Sequence, residues 1–249
     1  MTLTHKDIYT KFMIEYDKAN VTSSYPSLTE YEVATVLDKA YNALIAQKIT
    51  GNNIRRATFE SDIKSIADIG PLIKRKSITL AQDSEISNAK QASMPDEVLY
   101  FIQAYLKQNA SSTPMDGKTV RDVPVVLVSH EVATNFYASS FNLPWIKKPI
   151  CFIEDNVIHI VHDPIKTPNN TCSVVYIKRP NPFAKDLENP STGWVSYFDW
   201  SGNTVPEAYK FECNSTVAEE LISLAVAFAL ENIESTRLNS KLNMRGLEA

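Results

Sequence analysis

The stretch Thr216–Leu238, TVAEELISLAVAFALENIESTRL, constrains this chain more than any other. Its apolar residues recur at helical spacing on more than one face. Leu221, Leu224 and Phe228 make one stripe; Ile222, Ala225, Val226, Ala229 and Ile233 make a second. A helix apolar around so much of its girth has to be covered on most sides. It is therefore a central helix of its own fold, or it is embedded in neighbouring copies of the chain. Directly ahead of it lies a run of strand-like pieces ending in VVYIKRP. No catalytic signature competes with this order of a small β-rich unit followed by a buried closing helix.

A chain of 249 residues buries roughly 70–75 % of the surface it exposes when unfolded, so its core needs no metal or disulfide staple. The 44 % apolar and 22 % charged content is that of a soluble globular protein. Only 6 glycines occur, which argues against glycine-rich phosphate loops. The net charge of −4 and the pI of about 5.6 are unlike those of a sequence-reading DNA binder, which is basic. Cys151, Cys172 and Cys213 are odd in number, widely spaced and without a CxxC pair, as expected of reduced thiols in a protein made in the cytosol. The start, MTLTHKDIYTKF, lacks a secretory apolar region, and no apolar run reaches the ~18 residues of a membrane span.

The first half reads as helical. Thr4 caps a helix over His5–Asn20, with Ile8, Phe12 and Tyr16 on one stripe. Ser27–Glu30, SLTE, reads as a capping box. The helix it opens carries Val33, Leu37, Ala40 and Leu44 inward and stops at Gly51. A third helix is expected over Asn53–Asp68, with Phe59, Ile63 and Ile66 facing in, ended by Gly70-Pro71. Ile73–Leu80 is a strand or an exposed connector, and Asp83–Gln91 reads as loop. A fourth helix is expected to open at Pro95, Asp96 and Glu97, with Val98, Ile102 and Tyr105 as its buried stripe.

The second half changes character. Val123–Val128 reads as a buried strand and His130–Ser139 as a short helix capped by Ser129. Ile150–Ile153 and Val157–Val161 flank the turn Glu154-Asp155-Asn156 as a hairpin, and Val174–Lys178 is another strand. Within Asn181–Glu212, WVSYFDW and YKFEC around SGN read as a second hairpin.

His159 and His162 sit three apart; on a strand that places them on opposite faces, and no further ligand completes a zinc set. Gly117-Lys118-Thr119 resembles a P-loop tail, but Ser112 stands where the pattern needs glycine. Three basic clusters remain: Lys74-Arg75-Lys76, Lys147-Lys148 and Lys178-Arg179. Each reads either as a solvated face or, if copies form a ring, as a surface toward nucleic acid in a channel or acidic patches on a neighbour. Trp145, Trp194 and Trp200 sit beside Pro and Gly in loop-like segments; such aromatics either plug their own domain or anchor protein–protein interfaces.

In order, the second half carries a strand ending in LVSH, a short helix, FNLPWIKKP, the IEDNVIHI hairpin, VVYIKRP, and AEELISLAVAFALE opening a long helix. This ordered set, over about Met94–Leu238, resembles the head-to-tail connector proteins of crAss-like and related Bacteroidetes phages, which form rings between portal and tail. The segment Asn181–Glu212 is longer than in that pattern, and ECNST stands where a Glu-Leu-Pro-like helix entry is expected. The resemblance implies a non-enzymatic virion component assembled in the host cytoplasm. Its partners would be itself, in closed rings of twelve, the portal and adjacent tail rings, with genomic DNA passing through without sequence readout. The polar tail Asn239–Ala249, with Arg245, would reach an adjacent ring.

The fold class expected is α+β: an N-terminal helical bundle, a small mixed β unit, and a long buried C-terminal helix packing back on the bundle. The boundaries read are a helical part over 1–110, a small α/β unit over 118–180, an aromatic-rich excursion over 181–213, and the closing helix and tail over 214–249, all within one compact domain. No catalytic, metal or cofactor-binding residue is singled out. The candidate interface residues are Trp145, Trp194, Trp200 and Arg245; Lys74, Arg75 and Lys76 are the candidate channel-facing or neighbour-facing group. Two rivals stand beside the ring subunit: a hydrolase with an aromatic-walled site around Trp194 and Trp200, and a monomeric DNA-binding or regulatory factor.

Overall fold

The computed structural model describes residues 3–18, 28–50, 63–109, 120–137, 144, 148–163, 169–183, 197–198, 204–205 and 210–232. It is a mixed α/β protein, and the chain divides into two compact units. One is built from Met1–Leu72 and Pro180–Ala249, the other from Ile73–Arg179.

The first unit contains helices α1 (His5–Lys18), α2 (Glu30–Thr50), α3 (Ile63–Ile69) and, from the far end of the chain, α5 (Ser215–Asn232). Helix α5 is the apolar rod of the sequence. Asn214 caps it: its Oδ1 accepts from the Val217 amide at 2.9 Å. Val217, Ala218, Leu221–Ala227, Ala229 and Leu230 are all buried, because α1 and α2 pack along the helix. Each fully buried Leu, Ile or Val contributes about 1.5–3 kcal/mol. Phe228, only partly buried, lies under the Lys39 ammonium, 4.7 Å from the ring centre. The stripes Ile8, Phe12 and Tyr16 of α1 and Val33, Leu37, Ala40 and Leu44 of α2 are buried as their spacing requires.

A buried ion network stitches α2, α3 and α5. The Lys48 ammonium donates to Asp68 Oδ2 and Glu220 Oε2, each at 2.7 Å, and Lys64 reaches Glu220 Oε1 at 3.0 Å. Asn214 Nδ2 donates to Asp68 Oδ1 at 2.9 Å, so the cap of α5 is tied to α3. Burial alone would lower the Lys48 pKa, but the two carboxylates outweigh it and raise it. Beside the network, Tyr41 packs against Phe183 and Phe211 and its hydroxyl meets Cys213 Sγ at 3.2 Å. His5 stacks on Phe183, ring centres 4.0 Å apart.

Three helix expectations change in detail. The box that opens α2 is Thr29-x-x-Glu32: Thr29 N donates to Glu32 Oε2 at 2.7 Å, and Glu32 N to Thr29 Oγ1 at 3.3 Å. The expected Ser27 lies outside the described residues, and Glu30 is the first residue of the helix. Thr4 and Asp7 make a second such box at α1. In α3 the inward residues are Ser65, Asp68 and Ile69, and Ile66 is exposed; Gly70-Pro71 leads into a 3₁₀ turn, Gly70–Leu72. Gly51, Phe59 and the start of the expected third helix lie outside the described residues.

The second unit holds strands β1 (Ile73–Thr79), β2 (Ala81–Gln82), β3 (Ala89–Ser93), β4 (Val98–Asn109), β5 (Val120–Leu127), β6 (Ile150–Glu154), β7 (Val157–Val161) and β8 (Thr171–Lys178), with α4 (His130–Tyr137). They form one eight-stranded sheet in the order β1-β8-β4-β5-β6-β7-β3-β2. All pairings are antiparallel except β5–β6, which is parallel and two residues long. The sheet curls until β1 and β3 meet. Leu80, Ala104, Leu106, Val125, Cys151, Ile158, Ile160, Cys172, Val174 and Tyr176 fill its inside. The β6–β7 turn carries Asp155 and Asn156 at φ 45° and 61°, the left-handed pair of a tight hairpin. The first unit also contains a short pair, β9 (Tyr197–Phe198) with β10 (Thr204–Val205). The second arm of that hairpin is therefore Thr204–Val205, not YKFEC; Lys210 bridges Thr4 instead.

The expected fourth helix is a strand. β4 pairs with β8 through two bulges, between Val98 and Tyr100 and between Phe101 and Gln103. Each bulge inserts one residue. The core-facing residues of β4 are consequently Val98, Phe101, Ala104 and Leu106, three apart where a bulge intervenes and two apart where none does. Spacing of three is the signature of a helix face, which is why the sequence reads as one. The helical reading of 1–110 therefore ends at Leu72, and Ala89–Gln91, read as loop, belongs to β3.

His5 is buried and its pKa is lowered to about 3, by desolvation against a smaller opposing hydrogen bond that the ring donates to the Pro182 carbonyl. Burial lowers His162 as well. As pH falls below about 6.5, the unfolded chain takes up a proton on His5 that the native ring does not, and takes one up on His162 more readily than the native chain does. Stability should therefore fall as pH falls from 7 to 5, by up to about 1.4 kcal/mol per pH unit for each such histidine. Urea melts of the chain and of His5→Phe check this: the variant should show a slope shallower by about one proton, and an unchanged slope would refute it.

Candidate functional site

The first unit exposes Ile14, Tyr31 and Ile66 on separate helices, and the second unit carries three surface features that could act on a partner. The first feature is the basic run. Lys74, Arg75 and Lys76 sit on β1, one end of the strand order, and all three are exposed. They divide between its two faces. Arg75 and Ser77 align with Val175 and Ser173 of β8, whose partners on β4 are Gln103 and Tyr105. There the Arg75 guanidinium lies 4.9 Å from the Tyr105 ring centre and donates to Asp122 Oδ2 at 2.7 Å. Ser77 and Ser173 meet at 3.3 Å. Lys74 and Lys76 align with Tyr176 and Val174, on the face that becomes the core at Ile78. Charged side chains on the inward face of an edge strand guard it against unwanted pairing. Two of the three cations are thus uncommitted, and the third is held by its own sheet.

The second feature is where β5 leaves β4 and hands over to α4. Val126 is 47 % exposed, Leu127 52 %, Val132 41 % and Tyr137 37 %. Pro124, in the same strand, has no N–H to offer the ladder, as suits a strand with an open side. Three exposed acids accompany these residues: Glu131 in the first turn of α4, and Glu154 and Asp155 at the β6–β7 turn.

The third feature is polar and chemical in appearance. His159 Nδ1 meets Asp83 Oδ2 at 2.7 Å, and the imidazole stacks on Phe152 with ring centres 4.8 Å apart. Burial would raise the Asp83 carboxyl, but the Glu85 amide, His159 and the Ile86 amide outweigh it and hold it below the ordinary carboxylate range. His130 and Tyr137 of α4 also pack against Phe152, ring centres 5.3 and 6.4 Å away. A carboxylate-oriented imidazole is the start of a general base. Among the described residues, no hydroxyl or thiol is hydrogen-bonded to His159. The pair ties the turn after β2 to β7.

His162 Nδ1 meets the Asp163 carbonyl at 2.9 Å, so the two histidines have separate partners. Among the described residues, no group of three or more His, Cys, Asp or Glu is placed to hold a metal ion. Among the same residues, no helix is long and apolar enough to cross a membrane. Trp145, Trp194, Trp200, Arg245 and Lys147 lie outside the described residues. The candidate aromatics thus all fall outside the described residues; of the basic clusters, the described residues include the β1 triplet, Lys148, which is exposed, and Lys178 and Arg179. Sequence reasoning missed the acids Glu131, Glu154 and Asp155 and the exposed apolar residues of β5 and α4. The one signal available was Val126-Leu127, two apolar residues at the end of a run read as wholly buried.

Residues 3–237 match the model of a family described as phage tail ring protein 3/4, of the crAss-like group. The chain belongs to the phage tail ring protein 3/4 family. That makes it a structural phage tail component, a ring protein of the virion. The match speaks of a tail ring and does not single out the head-to-tail connector. No curated protein matches the chain.

The thiols of this ring protein are held neutral. Burial pushes Cys151 and Cys172 up to about 12 and Cys213 up to about 11. A thiol, unlike a thiolate, is a poor nucleophile. At pH 8 a maleimide or disulfide reagent should leave Cys151 and Cys172 unmodified in the native chain and label both after denaturation, read by intact mass. Rapid native labelling of either would contradict the burial described.

Proposed function

We propose that the chain is a non-enzymatic subunit that closes with copies of itself into a ring in the phage tail, on the path between portal and tail. Genomic DNA passes through that ring without sequence readout. The observation that carries this reading is the family match over residues 3–237. The surface of the second unit supports it: exposed apolar side chains on β5 and α4 suit a protein that meets partners. Twelve copies, direct contact with the portal and contact with adjacent tail rings through Arg245 are parts of the same proposal, as are Trp145, Trp194 and Trp200 as interface anchors. Lys74, Arg75 and Lys76 are its channel-facing or neighbour-facing group.

The net charge of −4 suits a conduit. Each cation that engages a phosphate tightens binding by counterion release, so a wall rich in cations would hold the DNA it should let slide. Mass photometry and negative-stain microscopy of the purified full chain test the proposal. Closed rings of one size, rising in population with concentration, are expected. A chain that stays monomeric at the highest soluble concentration would overturn it.

A further inference from the structure

Two surfaces of the second unit carry opposite and unspent charge. Lys74 and Lys76 share one face of β1, about 7 Å apart along the strand. Glu131, Glu154 and Asp155 stand exposed on the other side of the sheet, where β6, β7 and α4 meet. None of these five side chains forms an ion pair or hydrogen bond with another described residue. Arg75 contrasts with them, being occupied by Asp122 and Tyr105.

The topology keeps the two surfaces apart. In the strand order, β8, β4 and β5 separate β1 from β6 one way, and β3 and β7 separate them the other way round the curl. One copy therefore cannot bring its own lysines to its own acids. The acidic side also carries the exposed apolar residues: Val126 lies on the α4 side of β5, paired with Ile150, and Val132 and Tyr137 lie on α4 itself. Glu154 is two residues along β6 from Phe152, so it shares the face on which α4 sits. An apolar centre with a charged rim is the anatomy of a protein interface.

We infer that copies of this chain join head to tail, the Lys74/Lys76 edge of β1 in one copy docking on the Glu131–Glu154–Asp155 rim and the Val126/Val132/Tyr137 face of the next. The occupant is a second copy because the complementary charges belong to the same chain. Two different surfaces on each copy make the contact heterologous, the kind that closes into a ring when the rotation per copy returns to its start. The inference rests on the ring proposal and adds the surfaces that make it. Nucleic acid is the weaker occupant of β1: two free cations release few counterions, and no further cation is free beside them on that strand.

The test is charge reversal in the full chain. Lys74→Glu with Lys76→Glu makes both surfaces acidic; Glu131→Lys with Glu154→Lys and Asp155→Lys makes both basic. All five side chains are exposed, so thermal melts of both variants should match the parent. Each variant alone should lose association by on the order of 10- to 100-fold in mass photometry, since like charges then face each other. An equimolar mixture of the two, and a chain carrying all five changes, should recover rings. Added salt should weaken the parent rings. If the parent forms rings and the reversals leave them unchanged, the inference fails and the ring proposal stands. Rings lost in both variants and not recovered in the mixture also overturn it. If the reversals spare the rings but abolish salt-sensitive retention of double-stranded DNA, β1 faces the channel instead. A parent that forms no rings overturns the ring proposal itself.

Discussion

Everything in the first unit follows from having to dry a helix with almost no polar face. Helix α5 exposes apolar surface in nearly every direction, and α1 and α2 between them cover it. The cap Asn214 stays at the surface, but the Lys48 and Asp68 side chains beside it are buried, and they are satisfied within the unit. Lys48 serves two carboxylates, Asp68 serves both Lys48 and Asn214, and Asn214 caps α5. Removing one partner from such a buried set costs about 3–5 kcal/mol, because the charges left behind are uncompensated. Replacing the set with well-packed apolar residues would cost far less. The network thus fixes which face of α5 meets α2 and α3 more than it adds stability.

The second unit solves a different problem with different means. Eight strands have to curl around a small apolar interior, and a flat sheet would leave that interior open. The two bulges in β4 supply the bend at the strand that pairs with both β8 and β5. The ends of the strand order are guarded: β2 is two residues long, and β1 carries Lys74 and Lys76 on its inward face. What is left at the surface is polar except at the β5–α4 exit. That is where a partner surface would be sought on physical grounds alone.

How much of this was legible in the sequence depended on whether a segment keeps one period. The stripes of α1, α2 and α5 keep theirs, and the left-handed turn at Asp155-Asn156 announces itself by residue type. β4 does not keep one period, because each bulge shifts the alternation by a residue and Val98, Phe101 and Ala104 then fall at helical intervals. Pro95, Asp96 and Glu97 strengthened the error, since the same residues open helices. Overlapping S/T-x-x-E patterns made Ser27 and Thr29 indistinguishable as caps; only the hydrogen bonds to Glu32 separate them. The basic triplet was visible as composition. That Arg75 is spent on Asp122 while Lys74 and Lys76 are not follows from alternation and register, and register was not readable. The pairing of Asp83 with His159 spans 76 residues and leaves no local mark.

The ring reading treats the chain as a scaffold whose surfaces act and whose interior only holds them in place. Its foundation is that α5, whose apolar residues from Leu221 to Leu230 are buried apart from Phe228, is an integral part of the first unit, not an arm that detaches when copies meet. Native-state hydrogen exchange of the purified chain, read residue by residue along Leu221–Leu230, tests this directly. These amides should exchange only through opening of the whole unit, with the same free energy as denaturant unfolding and in step with the central turns of α2. Exchange of α5 through a low-energy opening, while α1 and α2 stay protected, would contradict it.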